Sequence, residues 1–160
     1  MQQVADGIHR LGSTIHNFYV LTEGGKATVV DAGCSKEWPK LVDGLATLGL
    51  SPDDVEAILI THAHADHFGF AAEAAERGTS VKVHEDDLDR ARGQYVGKAA
   101  VSPTDLPLWK PTTWSFMMPL LRAGVMRQPT THQVETVTDG EVLDLPGKPV
   151  VVHTPGHTEG

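Results

Sequence analysis

A chain of 160 residues, 40% apolar and 21% charged, has the size and composition of one globular domain with a substantial core. Its net charge of −8 leaves no Lys/Arg stripe to neutralise phosphates, which excludes nucleic acid as the expected partner. The single cysteine, Cys34, excludes a disulfide framework and a cysteine-rich zinc ribbon, and it fits a reducing compartment.

The opening residues Met1 to Asp6 carry neither a basic n-region nor an apolar h-region, and no run approaches about 18 apolar residues. The expectation is a cytoplasmic protein with no membrane-spanning segment. Residues 7 to 31 read as β-rich, in the runs 7–11, 15–21 and 27–31, and Glu23-Gly24-Gly25-Lys26 has the composition of a hairpin turn. Asp31-Ala32-Gly33 closes this meander. Asp31 can cap backbone amides or support a nearby site, and the sequence leaves both open. No basic partner surrounds Cys34, so it reads as a small loop residue rather than a nucleophile.

Trp38, Leu41, Val42, Leu45 and Leu48 recur at helical spacing, and Gly49 stops the helix. Ser51-Pro52-Asp53-Asp54 has the form of a capped turn and leads to a short buried strand at 57–60. That strand delivers His62, His64, Asp66 and His67, four metal-capable side chains within six positions. If the segment is extended, residues two apart share a side, which places His62, His64 and Asp66 in one row. Imidazole and carboxylate suit zinc, and also iron or manganese. A helix of small residues is expected to follow as far as Arg77, then a strand at 80–83 that exits at His84. His84 stands before Glu85-Asp86-Asp87 and reads as a cap of the next helix rather than a ligand.

Residues 93 to 130 hold five of the ten prolines, together with Tyr95, Trp109, Trp114 and Phe116, and four cationic side chains against Asp105 alone. A Pro-broken apolar excursion of this length suggests a lid over a substrate pocket, or else a cover for core or an oligomer face. Further on, 133–137 and 141–145 flank Asp139-Gly140 as a hairpin would, and 149–153 reads as the last strand. It opens onto His153-Thr154-Pro155-Gly156-His157-Thr158, in which the Pro-Gly turn can present His157 away from the strand.

Taken together, Val29-Val30-Asp31-Ala32-Gly33, Thr61-His62-Ala63-His64-Ala65-Asp66-His67-Phe68-Gly69 and His153-Thr154-Pro155-Gly156-His157-Thr158 closely resemble the motifs of the metallo-β-lactamase-fold hydrolases. That family includes glyoxalase-II-type thioesterases, lactonases and β-lactamases. The resemblance implies an α+β fold, the four-layer αββα sandwich, over residues 1–160, with the second sheet incomplete. It implies that His62, His64 and His157 hold a first metal, that Asp66 and His67 begin a second site, and that Asp31 is a buried support. His153 is then the strand end.

The family's later bridging Asp and last His have no counterpart, since no Asp follows Asp144, so the chain reads as the front portion of a longer enzyme. The expected chemistry is attack by metal-bound hydroxide on an ester, thioester, lactone or amide carbonyl of a small molecule, with Asp66 orienting the water. No Gly-x-Ser-x-Gly elbow offers a serine route. An iron-dependent sulfur dioxygenase on the same scaffold, and a catalytically incomplete metal-binding fragment, are the alternatives. An oligomer is compatible with each. All of them require the ring of His157 to lie within about 8 Å of His62 and His64, since the bonds to a shared cation are about 2 Å.

Overall fold

The computed structural model describes residues 1–95, 106–127 and 129–160. Among these described residues seven strands form one sheet in sequence order: β1 (Gln2–Ala5), β2 (Ile8–Gly12), β3 (Asn17–Glu23), β4 (Lys26–Val30), β5 (Val55–Leu59), β6 (Ser80–His84) and β7 (Glu135–Val137). The first four pair antiparallel through short turns, and β4 to β7 pair parallel. Parallel neighbours need crossovers, supplied by α1 (Trp38–Thr47) between β4 and β5 and by α2 (Ala71–Glu76) between β5 and β6. The C-terminal ends of β4, β5 and β6 therefore lie side by side, where open parallel sheets gather their functional loops. Asp31 follows β4, His62 follows β5, and His84 ends β6.

Burial follows the period-two pleat in β2 and β3, where His9, Leu11, Phe18 and Val20 point inward. In β4, Ala27, Thr28 and Val29 are all fully buried, as expected for a central strand covered on both faces. Trp38, Leu41 and Leu45 turn one stripe of α1 onto the sheet. Phe70 joins the pieces, meeting Phe18 edge-on at 5.4 Å between ring centroids and Trp38 at 5.8 Å. Ala71, Ala74 and Ala75 are buried along α2, and their small side chains let this helix lie close over the sheet. Beyond β6 a short turn at Glu85–Asp87 leads into α3 (Leu88–Ala91), and α4 (Pro111–Ala123) stands largely exposed.

The meander, α1, the capped turn, β5, α2 and β6 follow the sequence expectations closely. In that turn the Asp54 carboxylate accepts the Ser51 N–H at 3.0 Å. His84 also fills its expected role, with Nδ1 accepting the Asp86 N–H at 3.3 Å.

The end of the chain differs. Residues 133–137 and 141–145 do not form a hairpin. Instead β7 adds parallel to β6, and 140–143 pairs with 149–151, through Leu143 N–H to Pro149 O at 3.0 Å and Val151 N–H to Glu141 O at 2.9 Å. The reversal is a Pro146-Gly147 turn, with Gly147 at φ 83 and the Lys148 N–H donating to Leu145 O at 2.7 Å. A tight Asp-Gly hairpin turn needs positive φ at both central residues, and Asp139 is not among those that have it. Its carboxylate instead accepts the His153 N–H at 2.9 Å. The expected last strand at 149–153 is reduced to the single bridge Val142 to Val150.

Candidate metal centre

The loop after β5 is held from beneath by two buried carboxylates. Asp31 accepts the Thr61 N–H at 2.8 Å, and Asp87 accepts the Ala63 N–H at 2.9 Å. On its far side the loop is laced to residues 32–34: Ala32 N–H donates to His67 O, Gly69 N–H to Gly33 O, and Phe70 N–H to Ala32 O. Gly69 permits this approach, since a Cβ there would stand 2.2 Å from the Cys34 carbonyl carbon. Pinned at both ends, the segment coils instead of running extended, with the N–H groups of His67 and Phe68 both donating to His64 O. The expected single row of His62, His64 and Asp66 is corrected accordingly. His62 and His64 stay together, and Asp66 turns to His67, whose Nε2 lies 3.6 Å from its Oδ2.

His157 reaches the pair from the tail. Its ring centroid lies 4.8 Å from that of His62 and 4.7 Å from that of His64, inside the separation that a shared cation requires. The His64 Nδ1 and His157 Nε2 atoms are 3.1 Å apart, close to the roughly 3.3 Å edge of a tetrahedron built on 2.0–2.1 Å bonds. One ligand atom from each of the three side chains lies within 4.8 Å of the others. Burial first, and then the neighbouring imidazoles, hold His62 down at about 4, so it is neutral at pH 7 with a lone pair free. His64 is lowered too, by burial and then by the charge of Arg90.

His67 is anchored differently. Its Nδ1–H donates to Asp31 at 2.8 Å, leaving Nε2 on the side of Asp66 and 4.1 Å between its ring centroid and that of His62. Burial opposes protonation of His67, yet the Asp31 hydrogen bond, with the charges of Asp31 and Asp66, outweighs it and raises the group. Asp31 thus caps the Thr61 amide and also fixes the ring of His67. It sits at φ 65, a left-handed conformation that Asp and Asn tolerate. Asp31→Asn is therefore expected to keep the backbone while removing the charge, and to weaken metal binding by about 10–100-fold, as read by competition with a chelator. Wild-type affinity in that variant would show that His67 needs no such orientation.

Several contributors were not legible beforehand. Glu85-Asp86-Asp87 read as a helix start, and nothing local marked Asp87 as the anchor of Ala63. Arg90 packs 3.7 Å over the Tyr95 ring and pairs with Glu159, and with His64 and His157 it lines a cleft of about 360 Å³. Cys34, expected as a passive loop residue, is fully buried, and burial, then the charges of Glu37 and Asp66, push its thiol up to about 12.

A family model described as the metallo-beta-lactamase superfamily matches residues 11–160. The chain belongs to that superfamily. Among solved structures, the subclass B3 metallo-β-lactamase BJP-1 of Bradyrhizobium japonicum superposes with a TM-score of 0.74 at 23% identity, over 99% of this chain and 53% of that one. The metallo-β-lactamase SMB-1 gives 0.69 at 25% identity over 96% and 53%. By sequence, the Bacillus subtilis protein YobT is 26% identical over 144 residues, which is 90% of this chain and 54% of YobT. A Streptococcus pneumoniae protein named Exodeoxyribonuclease WalJ is 36% identical over 89 residues, 54% of this chain and 32% of WalJ. The chain spans about half the length of YobT and of these solved metallo-β-lactamases. Its α+β architecture is that portion of the metallo-β-lactamase fold which carries the β5 loop and the His157 tail.

Proposed function

We propose that this superfamily member serves a metal-dependent hydrolase acting on an ester, thioester, lactone or amide carbonyl of a small molecule. The observation that carries this reading is the convergence of His62, His64 and His157, two segments 93 residues apart, on a space the size of one cation. Three imidazole nitrogens of this kind fit zinc, with iron or manganese also accommodated by the donor set. When bound, such an ion supplies Lewis acidity that brings water ionisation toward neutral pH and polarises a carbonyl. His62, His64 and His157 would hold it, and Asp66 with His67 would begin a second position. Beside His67 Nε2 at 3.6 Å, the Asp66 carboxylate would serve as the acceptor that orients a water at such an ion. Covalent catalysis by Cys34 is disfavoured, because a buried thiol raised to about 12 stays protonated.

A small-molecule substrate is supported by the net charge of −8. The likeness to a protein named an exodeoxyribonuclease is the observation on the other side. A reducing compartment, hence the cytoplasm, suits a chain with one free cysteine; no helix among the described residues is long and apolar enough to cross a membrane.

The deciding experiment assays zinc-, manganese- and iron-loaded protein on lactone, thioester, amide and DNA substrates, with and without chelator, while oxygen is monitored. Carbonyl hydrolysis that chelation abolishes and zinc restores is expected. Activity indifferent to chelation would refute the proposal, oxygen uptake with the iron form would favour the sulfur dioxygenase, and DNA degradation would overturn the small-molecule reading. Equal turnover by this chain and by a version carrying the rest of the fold would reject the incomplete-fragment reading.

We read residues 93–130 as a lid, although 96–105 and 128 lie outside the described residues. Trp109 is 80% exposed, and Trp114, Phe116 and Met118 are exposed on α4, apolar surface well suited to closing over a substrate. Replacing Trp109 and Trp114 by Ala is expected to raise KM several-fold with little change in Tm. Unchanged kinetics with lowered stability would reduce the segment to a cover.

A further inference from the structure

A second group of donors lies outside the cluster of His62, His64 and His157. His84 ends β6, Asp86 stands on the turn that follows, and His153 begins the tail that carries His157. The His84 and His153 rings stack with centroids 4.0 Å apart and planes within 10°. The Asp86 Oδ2 atom lies 3.6 Å from His84 Nδ1 and also 3.6 Å from His153 Nε2. One ligand atom from each of the three residues falls within 4.8 Å of the others.

We propose that His84, Asp86 and His153 form a separate, structural site for a divalent transition cation such as zinc or cobalt. Bonds of about 2.0–2.2 Å in tetrahedral geometry separate neighbouring ligand atoms by roughly 3.3–3.6 Å, which both carboxylate–imidazole distances already meet. Two imidazoles and one carboxylate are a borderline donor set, favouring zinc or cobalt over magnesium or calcium. His84 Nδ1 directs its lone pair to this side, where it accepts the Asp86 N–H at 3.3 Å, and that long hydrogen bond is given up when a cation binds.

The larger adjustment is in the second ring. Parallel rings carry their in-plane lone pairs side by side, so His153 must rotate and exchange its 2.9 Å contact with the Glu159 carbonyl for the cation. His153 is half-buried on the tail, whereas His84 is buried at a strand end, so the tail residue is the one that moves. At the far end of the same tail, a Cβ on Gly160 would meet the His84 Cβ at 3.0 Å. Residues 153–160 thus leave and return to the end of β6. A cation bridging His84, Asp86 and His153 would clamp the base of the loop that presents His157.

The test uses zinc and cobalt ions and counts bound metal after equilibrium dialysis. In a His62→Ala/His64→Ala background, about one equivalent of either ion is expected to remain, raising Tm and giving a cobalt visible spectrum typical of nitrogen and oxygen ligands. Adding Asp86→Asn or His153→Gln should abolish all three signals. Loss of one equivalent is likewise expected for Asp86→Asn in the otherwise wild-type chain, where the position is exposed and circular dichroism checks that the variant is folded. A natively folded double variant that binds nothing, a residual ion indifferent to both substitutions, or unchanged stoichiometry for Asp86→Asn alone would each overturn the site.

Discussion

Replacement of His157 by alanine is expected to empty the three-imidazole centre and lower cation affinity by at least ~10³-fold, since changes one shell further out already cost 10–100-fold. Of the three imidazoles proposed for this centre, His157 is the one that comes from the tail, and its Nε2 lies 3.1 Å from His64 Nδ1. Without it, His62 and His64 retain two nitrogens, too few for a structural or catalytic zinc site. Any metal-dependent hydrolysis should fall by roughly 10³-fold or more, about 4 kcal/mol in activation free energy. His132→Ala, an exposed imidazole elsewhere, is the control and should leave metal content unchanged. Element analysis and chelator competition read the result directly. Full occupancy in the His157 variant would remove the basis for a shared cation.

The second large effect lies beneath the site, at Glu37. This buried carboxylate pairs with His16 Nε2, accepts the Cys34 N–H at 3.0 Å, and is met by Lys40. Burial alone would raise its pKa. The hydrogen bonds from His16, Cys34 and Lys40 outweigh burial and bring it from 4.5 to about 2. A carboxyl depressed on folding stabilises the native state fully above its unfolded value of 4.5, and that stabilisation is lost as pH falls through about 2.

A shift of this size corresponds to about 3 kcal/mol. Glu37→Gln is therefore expected to lower stability by about 3 kcal/mol at pH 6.5, or roughly 6–12 °C in Tm for a chain of this size. The gap between wild type and variant should narrow steadily below pH 4.5. Urea unfolding of both proteins at pH 6.5 and pH 3 measures it. A gap under about 1 kcal/mol at pH 6.5, or one that does not shrink in acid, would show that Glu37 is not the ionised hub of this network. The consequence reaches the metal centre, because the 32–34 backbone that Glu37 helps hold is the strip to which Gly69 and Phe70 are bonded.

Local pattern was enough for much of this. Period-two alternation in β2 and β3, the Trp38-Leu41-Leu45 stripe of α1 and the Ser51–Asp54 capping pair are short-range signals, and the chain obeys them. His62, His64 and His157 were legible as candidate ligands because side chains of these chemical types at this spacing are a specific pattern. Where local pattern failed, a distant partner had taken over. Asp139-Gly140 has hairpin composition, yet β6 captures residues 135–137 as a parallel neighbour and the Pro146-Gly147 turn makes the reversal. An extended His62-His64-Asp66 row was reasonable for an isolated strand end, but Asp31 and Asp87 seize two of its backbone amides and coil it.

Which side chains could bind a cation, and which strands would carry them, was thus written in the order of the residues, because donor chemistry and pleat periodicity are properties of neighbours in the chain. How those side chains face one another was not. The turn of Asp66 toward His67, the orientation of His67 by Asp31, the anchoring of Ala63 by Asp87 and the stacking of His153 on His84 all depend on contacts spanning 24 to 69 residues, apart from the adjacent pair 66–67. Contacts at that range form only once the parallel strands have stacked their C-terminal ends together.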